Sequence, residues 1–359
     1  KNIQKQASLC YKKLSMSKKN SNVILKDRFK NYKELSYIYS SFKKKLNSFK
    51  KKFFLIAVSG GPDSLALTAL SKAYSYENKC KIYYVLVDHN IRKNSSNEAK
   101  SVKKLLKKHK IKLNILKNTK TIKKNIQNEA RIIRYDLLTN FCKKKKIKTI
   151  LTAHNLEDQV ETFFIRLSRG SGLQGLSSMK QIYKINGNIS LIRPLLDFKK
   201  NELIKISKIT FGKYFKDPTN KNTKYLRTRI RNLKNSLEKS GINYDKIFQS
   251  ITNLASSRDT LDYYFNKIYK DIIVKKNNKV LIDLKGFHNI NQEMKVMVLK
   301  KTIKDFTHSY YATRSKKIVN LINQIKVKKN EKFTLGGCII FREKKHIIFQ
   351  KENKDYRSS

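Results

Sequence analysis

The chain has 359 residues, of which 82 are Lys or Arg and 26 are Asp or Glu, so its formal net charge is +56. This length predicts two or three domains, and this charge excludes an acidic or near-neutral enzyme that never meets a polyanion. No apolar run approaches the roughly eighteen residues that a membrane-spanning helix needs, and no secretory signal follows the basic N-terminus. The composition predicts a soluble, cytoplasmic protein with no membrane partner that binds nucleic acid.

The arginines are more informative than the lysines. The chain has 68 Lys and only 14 Arg, and its richness in Lys, Asn and Ile is typical of A/T-rich codon usage, so much of the charge is compatible with genomic background. Eight of the arginines lie between Arg131 and Arg231. Such a concentration of guanidinium groups favours a phosphate-binding surface whose affinity depends on salt.

Strand and helix signals alternate over the first part of the chain. A capping-box pair, Ser95 and Glu98, predicts the start of one of the helices. Apolar strands separated by helices predict an α/β fold with a doubly wound parallel sheet. The predicted strands are 53–58, 82–87, 112–116 and 149–152, and the predicted helices are 65–74, 95–106, 125–141 and 156–167.

The character of the sequence changes after residue 240. Helical spacing predicts helices over 244–269, 292–306 and 315–325, and three short strand signals separated by turns follow them, over 332–335, 338–342 and 346–349. The predicted organisation is a basic N-terminal extension (1–50), an α/β domain (51–240), a helical linker region (241–306) and a small α+β module (307–359).

The strongest chemical signal directly follows the first predicted strand and precedes its helix: Ser59, Gly60, Gly61, Pro62, Asp63 and Ser64. Glycines allow a tight turn that points backbone N–H groups inward, and the N-terminus of the following helix adds a positive end. The segment differs from the Walker pattern because no Lys-Ser/Thr pair closes it, and it differs from G-x-G-x-x-G. It predicts a cradle for a pyrophosphate group.

A second group of candidates lies on the helix that follows the fourth strand. His154, Asp158 and Glu161 are spaced by four and three residues, which puts them on one helix face. Carboxylates near a helix N-terminus stay ionised and can hold an ammonium group or Mg²⁺. His154 is either a general base or a residue that orients Asp158.

Other candidates come from the remaining strand ends. Arg131 and Arg134 are three residues apart and suit an α-phosphate or a carboxylate. Asp88 ends the second strand, where an open α/β sheet contacts its ligands, and is a candidate for binding ribose or adenine. His89, which follows it, is more typical of a structural residue.

The cysteines argue against a metal or sulfur centre. Cys10, Cys80, Cys142 and Cys338 are widely spaced, and the chain has no C-x-x-C pair. This spacing predicts reduced thiols and neither zinc nor iron–sulfur ligation.

An ordered set of motifs resembles the tRNA(Ile)-lysidine synthetase family of the PP-loop ATP pyrophosphatase superfamily. The resemblance is close over about residues 53–232 and looser over the C-terminal module. It implies an adenine-nucleotide alpha-hydrolase-like fold for the ATP-binding catalytic domain and a tRNA-binding role for residues 307–359. The motifs are SGGPDS (59–64), VDH (87–89), NIQNEAR (125–131), RYDLL (134–138), TAHNLEDQVET (152–162), RGSGLQGL (169–176), RPLL (193–196) and DPTN (217–220).

The resemblance implies a specific reaction. Such an enzyme, a ligase forming C–N bonds, adenylates O2 of the wobble cytidine of a CAU-anticodon tRNA(Ile) with ATP and releases pyrophosphate. L-lysine then attacks C2 and expels AMP, which leaves lysidine and changes the codon read from AUG to AUA. The implied cofactors are ATP and Mg²⁺; no protein partner is evident, and a homodimer is left open.

The resemblance also implies roles for single residues. The catalytic set is Asp63, Arg134, His154, Asp158 and Glu161, and the loop 59–64 with Asp88 binds the nucleotide. Asp63 either ligates Mg²⁺ or braces the loop. The arginines assigned to tRNA binding are Arg169, Arg227, Arg229 and Arg231; Arg227 and Arg231 share a helix face, which we expect to meet phosphates, and Arg229 lies off it.

Three other functions compete with this one. A PP-loop tRNA thiolase making 2-thiocytidine would use cysteines that this sequence does not space suitably. A PP-loop ligase acting on a metabolite would not need the basic charge or the arginines at 227–231. A non-catalytic nucleic-acid-binding protein would not need an intact phosphate loop.

Overall fold

The computed structural model describes residues 33–90, 94–120, 126–186, 188–215, 223–276, 278–307, 313–328 and 331–352. The DPTN motif at 217–220 and most of the predicted N-terminal extension lie outside the described residues. The chain divides into two compact units, Lys1–Ala255 and Ser256–Ser359. This division falls within one long helix, whereas the sequence predicted boundaries after residues 240 and 306.

The first unit alternates strands and helices as the sequence predicted, and the predicted elements agree with the observed ones to within a few residues. A helix before the first strand, a strand hairpin and three later helices were not predicted from the sequence. The elements are α1 (Lys33–Ser48), β1 (Phe53–Val58), α2 (Pro62–Glu77), β2 (Lys81–Asp88), α3 (Ser95–Lys108), β3 (Leu113–Lys117), α4 (Ile126–Lys144), β4 (Thr149–Leu151), α5 (Leu156–Leu167), α6 (Leu173–Leu176), β5 (Ile182–Asn186), β6 (Ile189–Ile192), α7 (Lys200–Phe211), α8 (Leu226–Asn232), α9 (Lys234–Lys239) and α10 (Tyr244–Ile272).

The six strands form one sheet in the order β3-β2-β1-β4-β6-β5. All neighbouring pairs are parallel except β5 with β6, which form an antiparallel hairpin at one edge. The chain moves outward from β1 to β3 and then crosses to β4 on the other side, which makes the sheet doubly wound and confirms the predicted fold class. The carboxyl ends of β1 and β4 are neighbours at the point where the order reverses, and this is where such sheets bind ligands.

Helix α1 belongs to the core of the first unit. Its residues Leu35, Ile38, Phe42 and Leu46 are at most 2% exposed, and their spacing of three and four residues puts them on one face. They pack in the same apolar cluster as β1 and α2. The sequence analysis had assigned this segment to a basic extension, because the lysines between these positions dominate its composition.

The predicted capping box at the start of α3 does not form. The helix begins at Ser95, so the N-cap residue is Asn94, and no side chain caps it. Ser96 instead donates its hydroxyl proton to the carboxylate of Asp88 at 2.6 Å, which ties α3 to the end of β2.

The second unit has the predicted α+β class, but it begins at Ser256 rather than at residue 307. Two strands of its sheet, within 273–283, and a short helix lie in the segment that the sequence predicted as a helical linker. The unit contains the end of α10, followed by β7 (Ile273–Lys276), β8 (Lys279–Asp283), α11 (Leu284–Asn289), α12 (Gln292–Thr307), α13 (Ser315–Val327), β9 (Lys332–Leu335), β10 (Cys338–Glu343) and β11 (His346–Lys351). Its strands form an antiparallel sheet in the order β7-β8-β11-β10-β9. Among the described residues, no helix is long and apolar enough to cross a membrane.

Candidate active site

The loop 59–64 connects β1 to α2 and is held by its own serines. The Ser64 hydroxyl oxygen accepts hydrogen bonds from the Ser59 amide and the Ser59 hydroxyl, both at 3.1 Å, and Ser64 donates to the Gly61 carbonyl at 3.0 Å. Helix α2 begins at Pro62, which has no N–H group, and no side chain caps its N-terminus. The remaining N–H groups of the first turn are therefore available to an anion.

Gly60 is required by the shape of this loop. Its φ angle is +84°, and a Cβ atom there would lie 2.5 Å from Cγ2 of Val102 on α3. Its carbonyl accepts a hydrogen bond from the amide of Phe215 at 3.0 Å. The loop is thus packed against α3 and the segment after α7, and a side chain at position 60 would strain both the backbone and this contact.

Asp88 lies at the carboxyl end of β2, but its carboxylate is already bonded. One oxygen accepts the Ser96 hydroxyl at 2.6 Å and the other accepts the Asn90 amide at 3.0 Å, and the residue is 3% exposed. Burial alone would raise the pKa of Asp88, and these hydrogen bonds outweigh burial and lower it. These bonds brace the end of β2, and each oxygen keeps a further lone pair, so the contact with ribose or adenine stays a prediction.

The ring of His89, the residue that follows Asp88, is another candidate for contact with a ligand at this strand end. Its Nδ1 atom is buried and has no hydrogen-bond partner within the described part of the chain, while its backbone carbonyl is fixed by the side chain of Asn118 at 3.1 Å. Burial and the nearby charge of Arg134 lower the pKa of His89. The ring is therefore neutral at pH 7 and available to donate or accept one hydrogen bond.

Asn155 and Asp158 form a reciprocal capping box at the start of α5. The Asp158 amide donates to the Asn155 side chain at 2.9 Å, and the Asn155 amide donates to Oδ2 of Asp158 at 3.1 Å. This arrangement occupies one carboxylate oxygen of Asp158 and directs the other, Oδ1, away from the cap.

The carboxylates of Asp158 and Glu161 are paired with arginines of α8. Arg227 donates from Nε to Glu161 at 2.6 Å and from Nη2 to Asp158 Oδ1 at 2.9 Å. Arg231 donates from Nε and Nη2 to the two oxygens of Glu161, at 2.7 and 3.0 Å. Glu161 thus accepts three charge-assisted hydrogen bonds, which connect α5 to α8.

This pairing differs from the expected tRNA surface. Arg227 and Arg231 do share a face of α8, as predicted, but that face meets α5, whereas Arg229 is exposed. Arg169, two residues beyond the end of α5, is exposed as well. Of the four arginines predicted to bind tRNA, Arg229 and Arg169 are therefore exposed. The other two form ion pairs with the catalytic candidates Asp158 and Glu161.

The two carboxylates have different electrostatic environments. Burial raises the pKa of Asp158, although Arg227 opposes this shift. For Glu161, burial alone would also raise the pKa, but the hydrogen bonds from Arg231 and the charge of Arg227 reverse the effect and lower it. Glu161 is the firmly ionised member of the pair.

Asp63, in the first turn of α2, lies close enough to Asp158 for the charge of Asp158 to shift its pKa. Burial and the charge of Asp158 raise the pKa of Asp63 to about 7, and its Oδ1 atom is buried without a hydrogen-bond partner among the described residues. A buried carboxylate oxygen that lacks a donor suits a cation. Asp63 therefore fits a bound Mg²⁺, although the described residues contain no group of three or more His, Cys, Asp or Glu that could hold a metal ion by themselves.

His154 lies between β4 and α5, so it is not on the helix face that its spacing predicted for it with Asp158 and Glu161, because the helix begins at Leu156. Its Nδ1 lies 3.0 Å from the hydroxyl oxygen of Thr152. Burial, followed by the charges of Arg193, Arg131, Arg227 and Arg134, lowers the pKa of His154 well below 6.5. The imidazole is therefore neutral. Four guanidinium groups thus lie close enough to one imidazole ring to lower its pKa. Their combined positive charge makes this edge of the sheet suitable for binding phosphate.

Arg131 and Arg134 of α4 both lie close to the ring of Tyr135. Their guanidinium carbons lie 5.1 and 5.7 Å from the centre of that ring. Both are also close enough to His154 to lower its pKa, which agrees with the expectation that they face one cleft.

Arg193 was not among the residues predicted for the site, although it lies in the RPLL motif at 193–196. Arg193 directly follows β6 and is 6% exposed, and it donates to the Lys180 carbonyl at 2.7 Å. A charged residue at the carboxyl end of an apolar strand was a signal that could have found it.

The glycine-rich segment after α5 is braced. Arg166 donates from Nη1 to the carbonyls of Gly175 and Ser178, at 2.7 and 2.9 Å. Gln159 donates to the Met179 carbonyl at 3.0 Å and accepts from the Met179 amide at 2.8 Å. Two side chains of the helix that carries Asp158 and Glu161 thus hold the segment in place beside them.

Comparison with known proteins identifies the family. The model of the PP-loop domain, an ATP-utilising fold, matches residues 35–237. Among solved structures, the U34-tRNA thiolase of Methanococcus maripaludis with its [4Fe-4S] cluster has a TM-score of 0.52, at 18% identity over 62% of this chain and 80% of that chain. This likeness shows the fold alone.

Curated relatives named tRNA(Ile)-lysidine synthase match most of the chain. That of Wolbachia pipientis wMel is 33% identical over 303 residues, or 83% of this chain and 70% of the relative. That of Orientia tsutsugamushi is 33% identical over 309 residues, or 83% and 69%, and that of Rickettsia typhi is 31% identical over 324 residues, or 88% and 74%. The resemblance seen in the motifs is thereby confirmed: the chain belongs to the tRNA(Ile)-lysidine synthase family, and its catalytic unit is a PP-loop domain.

Proposed function

We propose that this chain ligates L-lysine to C2 of the wobble cytidine of a CAU-anticodon tRNA(Ile). ATP is converted to AMP and pyrophosphate through an adenylated cytidine. The observation that carries the proposal is that one edge of the sheet holds both a phosphate cradle and a carboxylate pair, close enough that the charge of Asp158 raises the pKa of Asp63. Family membership supports the same reaction.

In the first step, O2 of the cytidine attacks the α-phosphorus of ATP, and pyrophosphate leaves with the electron pair of the broken P–O bond. The first-turn N–H groups of α2 would hold the leaving pyrophosphate. The hydroxyl of Ser59 would join them by turning its proton away from Ser64, to which it donates in this structure. Arg131 and Arg134 would neutralise charge that develops on the α-phosphate, because guanidinium groups bind phosphate oxygens in pairs. Asp63 would hold Mg²⁺, and the ion, when bound, supplies further positive charge to the phosphates.

In the second step, the amine of lysine attacks C2, and AMP leaves. The amine must be neutral to attack, and it loses a proton as the C–N bond forms. His154 would be the proton acceptor, since its ring is neutral and Nδ1 is turned to Thr152, which leaves Nε2 for the substrate. Burial and the four arginines that lower its pKa also destabilise the protonated ring, so His154 is a weak base. Asp158 is already oriented by Asn155 and Arg227, so the alternative role of His154, orienting Asp158, is less supported.

Asp158 and Glu161 would bind lysine as it enters with its amino groups protonated, and the attacking group must then lose one proton before the second step. Both are already neutralised by guanidinium groups, so an incoming ammonium must replace part of that pairing. Arg227 is the group more suited to leave, because its side chain is 42% exposed and bridges the two carboxylates, whereas Arg231 binds Glu161 through two hydrogen bonds. In this proposal Glu161 and Arg231 form the fixed base of the lysine site and Asp158 is the exchangeable contact.

The surface that meets tRNA would include Arg229 and Arg169. Both side chains are exposed: Arg229 lies on α8, and Arg169 lies two residues beyond the end of α5. Such contacts to phosphates position the substrate without reading its sequence and make binding depend on salt.

Incorporation of radiolabelled L-lysine into an unmodified CAU-anticodon tRNA(Ile), with ATP and Mg²⁺, tests the proposal. We expect ATP-dependent label at the wobble cytidine. Asp158→Asn should abolish the label. Asp136→Asn is the matched control: it neutralises an exposed carboxylate on α4 and should keep the label. Pyrophosphate release without lysine label would point to a different nucleophile, and full activity in Asp158→Asn would remove Asp158 from the lysine site.

A further inference from the structure

The segment 193–199, which connects β6 to α7, runs beside the start of α5. Strand β6 pairs with β4 in the sheet, and the two segments stay together beyond their last paired residues. The Thr152 amide donates to the Ile192 carbonyl at 3.0 Å, and the Leu156 amide donates to the Phe198 carbonyl at 3.0 Å. We call residues 193–199 the β6–α7 connection.

This connection supports the residues that come directly before Asp158. The Leu156 N–H group is one of the first-turn donors of α5 that have no acceptor within the helix, and the Phe198 carbonyl accepts its hydrogen bond. The amide of Lys200, the first residue of α7, donates to the Glu157 carboxylate at 2.8 Å. The first two residues of α5 are therefore both held from this side, and Asp158 is the third residue of the helix.

Lys45 of α1 holds the connection in turn. Its ammonium group donates to the Pro194 carbonyl at 3.1 Å and also to the carboxylate of Asp197. The same nitrogen lies 4.6 Å from the centre of the Phe198 ring, a distance at which an aromatic ring attracts a cation. One side chain thus contacts both ends of the segment 194–198, and one of these ends binds the Leu156 amide.

The connection also places positive charge at the site. Burial and then the charge of Arg193, the first residue of the connection, lower the pKa of His154. Burial raises the pKa of Asp158, and the charge of Lys200 is one of the influences that oppose this rise. A shift of the connection would therefore move the backbone support of α5 together with two cations that act on catalytic candidates.

We propose that Lys45 is a positioning residue of the lysine site: it fixes the β6–α7 connection, which fixes the start of α5 and thereby Asp158. This inference rests on the proposed function. The alternative is that Lys45 only anchors α1 to the core, as Lys43 does by pairing with Glu77 at 2.5 Å. Because Glu77 ends α2, far from the phosphate loop at the start of that helix, Lys43 is a matched control on the same helix.

Amide hydrogen exchange and steady-state kinetics together test the inference. Lys45→Met keeps a flexible stem against the Phe198 ring but has no donor, and Lys43→Met removes the control ion pair. We expect exchange at the Leu156 amide to be about fivefold faster in Lys45→Met than in the wild type, and unchanged in Lys43→Met.

The KM for lysine should likewise rise about fivefold in Lys45→Met and stay unchanged in Lys43→Met. The KM for ATP should keep its wild-type value in both variants, because the phosphate loop is held by its own serines. Lys45→Arg, whose guanidinium group can still reach the Asp197 carboxylate, should restore both the exchange rate and the KM for lysine.

Equal exchange at Leu156 in the wild type and Lys45→Met, or an equal increase in Lys45→Met and Lys43→Met, would overturn the inference. A wild-type KM for lysine in Lys45→Met, or a raised KM that Lys45→Arg does not reverse, would overturn it as well. Exchange is measured without tRNA, ATP or lysine. A wild type that forms no lysidine would therefore refute the proposed function, and the exchange rates would still show whether Lys45 supports the start of α5.

Discussion

Replacing Arg231 by methionine tests whether this arginine positions Glu161 or contacts tRNA. The substitution keeps most of the aliphatic stem and removes two of the three hydrogen bonds to the Glu161 carboxylate, which is 3% exposed. Removing one partner of a buried ion pair costs about 3–5 kcal/mol. Because the Arg231 side chain is 31% exposed and Arg227 remains bonded, we expect about 2 kcal/mol, or a fall in Tm of roughly 4–8 °C.

The effect should depend on pH in a defined direction. The pKa of Glu161 in the folded protein lies below the 4.5 of an unperturbed glutamate. This carboxylate therefore stabilises the fold above that pH, and the contribution is lost as the pH falls through the folded-state pKa. Loss of Arg231 reduces the contribution. The difference in Tm between wild type and Arg231→Met should therefore be full at pH 7 and shrink below about pH 4.5.

Arg229→Met provides the matched control, because Arg229 lies on the same helix but is exposed. Thermal unfolding followed by circular dichroism and the salt dependence of tRNA binding are measured for both variants. We expect Arg231→Met to lower Tm and keep the salt slope, and Arg229→Met to keep Tm and reduce the slope by about one. Equal Tm values for the two variants, or a salt slope that changes only in Arg231→Met, would refute the assignment of Arg231 to Glu161.

Three further predictions concern the nucleotide side of the site. Gly60→Ala should abolish ATP-dependent pyrophosphate release. Adding Val102→Ala should not restore it, because this second change removes the 2.5 Å contact but leaves the backbone strain of φ +84° at position 60. Recovery of the release in the double variant would show that only the contact matters. His89→Gln should raise the KM for ATP more than His89→Asn does, since the asparagine amide can take the place of Nδ1; the reverse order would place the working atom at Nε2. The pH profile of kcat in the wild type should show no titration of His154 near pH 6.5, because the pKa of His154 lies well below that value. A titration near pH 6.5 in the wild-type profile that disappears in His154→Gln would contradict this.

Local signals in the sequence sufficed for much of the first unit. Helix α5 begins at Leu156 and ends at Leu167, as predicted, because its N-cap and its apolar spacing are both local features. The phosphate loop was recognisable because its residues are contiguous and its glycine at 60 is needed for a positive φ angle. The helix α1 also had the right spacing, at Leu35, Ile38, Phe42 and Leu46, but the lysines around these positions obscured it.

Other features of the site depend on contacts between distant parts of the chain. Helical periodicity correctly put Arg227 and Arg231 on one face of α8, yet periodicity does not say which face turns inward. Their partners Asp158 and Glu161 lie 66 to 70 residues earlier in the chain, and only the packing of α8 against α5 brings them together. The bracing of Asp88 by Ser96 likewise follows from where α3 begins. The sequence alone determined which groups the chain carries and how neighbours in one element are arranged, whereas the tertiary structure decided which charges meet, because a buried carboxylate recruits whichever cation the fold places beside it.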